Sequence, residues 1–95
     1  MAEVKVERDL LGRRLKQCLS EALARQDVEA TVETETVPTT RYVRVLVTAR
    51  QFEHMSFSER QDAVWNIVNH MFSPEEQLRI STILTMTPEE LGEDD

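Results

Sequence analysis

A chain of 95 residues with one cysteine and two histidines offers little for catalysis or metal binding, and its few reactive types stand apart. The single thiol, Cys18, rules out an internal disulfide and a zinc site of repeated cysteine pairs. It falls in helical register with Leu11, Leu15 and Ala22, which assigns it to an apolar face rather than to reactive chemistry. Neither His54 nor His70 has a third soft ligand nearby in sequence, so no metal is expected. His54 is expected in a loop at an interaction surface, and His70 on the wet side of a helix. The candidate nucleophiles Ser56 and Ser73 each precede a glutamate by three positions, Glu59 and Glu76. That spacing is a capping box, in which the hydroxyl accepts from an orphan amide and the carboxylate reaches back to the cap. Thr87-Pro88-Glu89-Glu90 repeats the pattern, with proline at the first helical position as in Ser73-Pro74. The paired acids answer helix dipoles. No catalytic set emerges, and the chain is expected not to be an enzyme.

The elements that carry these residues follow from periodicity. RDLLGRRLKQCLSEALARQ has apolar residues at helical spacing and charges opposite, an amphipathic helix loosened by Gly12. DVEATVETET alternates Val28, Ala30 and Val32 against acids and threonines, a strand with one wet face. TVPTT turns the chain, and RYVRVLVTA sets Val43, Val45 and Val47 on one side. The two form an antiparallel hairpin, with Glu29, Glu33 and Glu35 facing Arg41 and Arg44 on its exposed side. Phe52 and Met55 then seat a helix capped by Ser56, whose stripe is Arg60, Val64, Ile67, Val68 and Met71. A short helix follows Ser73. LRISTILTM, rich in Ile and Thr, is a third strand, and Gly92 closes a final turn. A connection through helices suits parallel neighbours, so the third strand should lie beside the second. The expected fold is α+β, order α-β-β-α-α-β-α, a three-stranded mixed sheet with helices on one face. Residues 1–95 make one domain, with 1–6 and 92–95 frayed.

Composition narrows the function. The formal net charge is −7, which opposes general attraction to phosphate backbones. No apolar run is long enough to span a bilayer, and the opening MAEVKVERD resembles neither a secretion signal nor a transit peptide. The expected location is the cytoplasm, away from membranes, as a monomer or weak dimer.

RYVRVLVTARQFEHMSFSERQDAVW resembles the central segment of BolA-like proteins. Both have an aromatic-led strand of alternating valines, a Phe-Glu pair (Phe52-Glu53), a short loop with Met55-Ser56, and an arginine (Arg60) opening the helix. TILTMTPEEL resembles the closing strand of that family and its Thr-Pro-Glu-Glu. The resemblance spans residues 41–91 and implies a class II KH-like arrangement. It also implies a monothiol glutaredoxin as partner and a shared iron–sulfur cluster. Four departures bear on the cluster. His54 replaces a glycine, Gln61-Asp62 replace a His-Arg pair, Arg79 stands where the family has a histidine, and the hairpin loop carries neither His nor Cys. A guanidinium does not ligate iron, so no cofactor is expected.

The leading expectation is a small protein-binding adaptor or regulator, with His54, Arg60, Trp65 and Arg79 as its contact residues. Trp65 lies off the main apolar stripe, where an aromatic can anchor a partner. The alternative is a nucleic-acid-binding transcriptional regulator on the KH-like scaffold, using Arg41, Arg44 and Arg50. Against it stands NHMFSPEE, the stretch between the helices, which lacks the Gly-x-x-Gly clamp and carries two acids.

Overall fold

The computed structural model describes the backbone of residues 2–92 and the side chains of residues 10–92. Of the ends expected to fray, residue 1 and residues 93–95 lie outside the described part. The elements are α1 (Ala2–Arg25), β1 (Ala30–Thr36), β2 (Val43–Ala49), a 3-10 turn (Arg50–His54), α2 (Phe57–Met71), α3 (Pro74–Gln77), β3 (Ile80–Met86) and α4 (Pro88–Leu91). The sheet order is β1-β2-β3, with β1 antiparallel to β2 and β3 parallel to it. The chain is therefore α+β with a three-stranded mixed sheet, and no described helix is long and apolar enough to cross a membrane.

One sheet face builds the core. Val32, Val43, Val45, Val47 and Ala49 point inward with at most 2% exposure, under Leu11, Leu15, Leu19 and Leu23 of α1. Those leucines follow a strict four-residue spacing, while Cys18 and Ala22 pack at the rim, half-buried. Burying each such side chain contributes ~1.5–3 kcal/mol. α1 ends in a Schellman motif: the Val28 amide reaches the Leu23 carbonyl at 2.9 Å and the Asp27 amide reaches Ala24 at 3.0 Å. Asp27 takes the left-handed conformation there, φ 63°, that a glycine usually fills. Gly12 is not a loose end but a close approach, since a Cβ built there would meet Thr34 Oγ1 of β1 at 3.0 Å.

β3 joins with an irregularity that its sequence does not announce. Val43 pairs with Ile80 and Arg44 with Thr82, leaving Ser81 as an extra residue. This bulge brings Ile80 and Ile83, three positions apart, onto the same buried face. α2 covers that face with Val64, Ile67 and Val68, and Phe52 fills the space beneath its start at 0% exposure. Met71, assigned to the stripe from sequence, is 50% exposed, and Phe72 takes the buried place instead. All three capping boxes form, at Ser56, Ser73 and Thr87.

Of the expected charge pairing across the hairpin, one pair forms: Arg44 lies 3.3 Å from Glu35. Glu33 sits opposite Leu46, while Glu29 and Arg41 fall outside the strands.

The contact at Gly12 sets a test. Gly12→Ala gains up to ~1 kcal/mol of helix propensity, but its methyl crowds Thr34 Oγ1. In a double-mutant cycle by urea unfolding, Gly12→Ala should stabilise more in a Thr34→Ala background than in wild type. Equal effects in the two backgrounds would mean that no such crowding exists.

Candidate functional site

Among the described residues the buried charge is Arg60, in the first turn of α2, and its residue is 8% exposed. Its Nε donates to the Phe52 carbonyl at 2.9 Å and to the Met55 carbonyl at 3.2 Å. Its Nη1 donates to Glu90 Oε1 at 2.8 Å and, at a long 3.5 Å, to the Thr85 carbonyl. The guanidinium also stands 5.7 Å from the centre of the Phe52 ring. One planar fork thus ties the 3-10 turn, the end of β3 and α4 to the start of α2.

Gln61 completes that junction. Its Nε2 donates to the Ile83 carbonyl at 3.3 Å and its Oε1 accepts from the Thr85 hydroxyl at 2.9 Å. Ile83 and Thr85 belong to β3, an outer strand of the sheet. Their carbonyls turn away from β2 and are met by α2 side chains, so the acceptors along this stretch of edge are partly engaged.

A second cluster lies at the opposite end of the sheet. Arg79 Nε donates to the Arg41 carbonyl at 3.2 Å, and the Val43 amide donates to the Arg79 carbonyl at 2.7 Å. Around them Thr39, Thr40, Tyr42, Glu75 and Leu78 line a shallow concavity of roughly 520 Å³. An iron–sulfur cluster would need thiolate or imidazole ligands there, and guanidinium, hydroxyl and phenol groups do not fit it. Cys18 lies on α1 and His54 on the 3-10 turn, and no group of three or more His, Cys, Asp or Glu side chains among the described residues is placed to hold a metal ion.

The four expected partner contacts are not gathered into one patch. His54 is exposed at the end of the 3-10 turn, and Trp65 is half-buried in the middle of α2, packed against the core. Arg60 is spent inside, and Arg79 sits a full strand away. Nor do the alternative's arginines form a cluster: Arg44 pairs with Glu35, and Arg41 and Arg50 flank opposite ends of β2, whose seven residues span roughly 20 Å. Between the helices, Glu76 caps α3 and pairs with Arg14, whose guanidinium lies 5.0 Å from the centre of the Phe72 ring. The Ser73 amide and then Arg14 hold the Glu76 carboxyl below its ordinary range.

The geometry defines a mixed-sheet α+β chain in which Arg60, the one buried cation among the described residues, joins the 3-10 turn, α2, β3 and α4. No family model, curated protein or solved structure matches it.

Two outcomes follow from the Arg60 junction. Arg60→Met keeps the stem and removes the donors, leaving the Met55 carbonyl unpaired at ~1–3 kcal/mol, the Phe52 carbonyl with the Met55 amide alone, and Glu90 without its cation. A loss of ~2–4 kcal/mol in urea unfolding is expected, and a loss below ~1 kcal/mol would contradict the junction's role. The second concerns acid. The Arg60 guanidinium, and next the Thr87 amide, hold the Glu90 carboxyl below its ordinary value of 4.5. A carboxylate depressed by folding contributes stability that is full above the unfolded value and is lost as pH falls through the folded one. The stability gap between wild type and Glu90→Gln should therefore shrink below about pH 4.5 and be widest near neutrality. A gap independent of pH would mean that Glu90 is not held in this way.

Proposed function

We propose that this chain is a non-enzymatic adaptor or regulator of BolA-like, class II KH-like architecture that works in the cytoplasm by binding a protein partner. The observation that supports this best is a convergence of separate sequence stretches. The Phe-Glu pair, the helix-opening arginine and the Thr-Pro-Glu-Glu segment, which carry the resemblance to that family, meet in space. Arg60 bonds the Phe52 carbonyl on one side and Glu90 on the other. These are parts of one structural device, and the hairpin followed by a parallel return through α2 and α3 supplies the matching order of elements.

A monothiol glutaredoxin is the partner this reading favours, bound without any iron ligand from this chain. The surface around Arg41, Tyr42, Leu78 and Arg79 supports that form of the reading: it keeps exposed apolar and cationic groups where a cluster ligand is missing. Nucleic acid is the weaker reading, because Glu75 and Glu76 stand where a KH module would meet phosphates.

The test mixes the protein with a cluster-loaded monothiol glutaredoxin. Expected are co-elution on gel filtration and a cluster whose visible absorption stays that of glutaredoxin alone, since no new soft ligand is supplied. Absence of a complex removes the glutaredoxin reading. Binding instead to a single-stranded oligonucleotide, weakening steeply as salt rises, would replace it with the regulator.

A further inference from the structure

Arg41 and Arg79 have no ion-pair partner among the described residues, and both line the concavity of roughly 520 Å³ at the hairpin-loop end of the sheet. Arg79 is half-buried, and its Nε is committed to the Arg41 carbonyl at 3.2 Å, which sets the plane of the guanidinium and leaves its Nη groups to other acceptors. The threonine hydroxyls of the loop are already taken. Thr39 Oγ1 donates to the Pro38 carbonyl at 2.6 Å and Thr40 Oγ1 to the Val37 carbonyl at 2.8 Å. Beside the two cations stand apolar surfaces: Leu78 is 76% exposed, the most of the large apolar side chains described, and Tyr42 is 49% exposed. Two uncommitted guanidinium groups next to bare apolar surface mark a place for a ligand that is anionic at one end and apolar at the other.

Charge decides which anion fits. Glu75 is the one acid in the lining, so two guanidinium charges against one carboxylate leave a single positive charge. That local excess stands on a chain whose net charge is −7. One further carboxylate neutralises it, whereas a phosphate dianion would overshoot and face Glu75. An arginine whose Nε is occupied still offers a carboxylate two N–H bonds through its Nη pair. The shallow form decides the carrier. Small organic acids are held in pockets that bury most of their surface. A chain end needs only its carboxylate and last side chain seated, because the rest of the partner adds contacts outside the concavity.

We infer that the Arg41–Arg79 concavity captures the C-terminal carboxylate of a partner protein whose last residue is apolar. The carboxylate would lie between the two guanidinium groups, with the last side chain against Leu78 and Tyr42. This deepens the protein-binding reading by naming what that surface recognises. Its test contains no glutaredoxin, so either can fail alone.

The probe is a short labelled alanine peptide ending in Phe with a free carboxylate. Controls are the same peptide with a C-terminal amide and the version ending in Ser. By fluorescence anisotropy the free Phe-ended peptide should bind at least about tenfold more tightly than either control. Arg41→Gln should weaken it by a similar factor. Arg79→Lys keeps the charge but loses the fork, and a loss is expected there too. Glu75→Gln removes the one opposing charge and should tighten binding. Thermal unfolding of each variant checks that the fold persists. The inference is overturned if the amide or the Ser-ended peptide binds equally, or if Arg41→Gln and Arg79→Lys leave affinity unchanged. It is also overturned if an amidated phosphotyrosine peptide binds more tightly than the free carboxylate, which would make this a phosphate site.

Discussion

A guanidinium withdrawn from water holds this fold in register. Removing an arginine from solvent is costly, and the loss is offset only where the fork finds acceptors on several sides. Arg60 finds them in the Phe52 and Met55 carbonyls and in Glu90. Its position thereby fixes three things at once: the path of the chain leaving β2, the depth at which α2 enters, and the place where the chain leaves β3 for α4. Lysine would bring one point charge where directions in a plane are required. At the other end of the sheet the return of β3 is pinned separately, by the Val43 amide on the Arg79 carbonyl and by Arg79 on Arg41. The parallel crossover is thus fastened at both ends, and the side chains of α2 need only fill the space between.

That division explains what could be read in advance. The valines of β1 and β2, the capping boxes and the plug at Phe52 are local signals, each written within a few residues, and the structure realises them. Three features have no local signal. The Schellman turn at Asp27 uses an aspartate in a conformation that glycine usually marks, so the helix end is announced only by Val28 packing against the core. Arg60 falls on the apolar stripe of α2, where periodicity shows burial but not the carbonyls that make burial tolerable. The bulge at Ser81 leaves no trace in composition at all.

The bulge has the widest consequence. Plain alternation from the buried Ile80 would place Thr82, Leu84 and Met86 inside and Ile83 outside. With Ser81 looped out, Ile83 and Thr85 turn inward and the other three turn out. Thr85, a polar residue facing the core, is acceptable because its hydroxyl bonds Gln61. The exposure of Leu84 therefore exists because of one extra residue in a parallel ladder. The contacts that could be named from residue type alone, His54, Arg60, Trp65 and Arg79, fall on the 3-10 turn, on α2 (Arg60 buried, Trp65 half-buried) and just before β3, because residue type does not encode adjacency.

Edge protection and surface display are here the same act. An outer strand with free carbonyls invites pairing with any extended chain, which offers little discrimination among partners. By spending Arg60 and Gln61 on the carbonyls of Ile83 and Thr85, α2 occupies acceptors along the β3 edge while Leu84 stays exposed. What remains available is side-chain shape and the charge around it, and these discriminate where backbone pairing does not. A bare sheet face on a small domain is usually a hazard of aggregation. On this chain, repulsion between copies carrying a net charge of −7 opposes self-association.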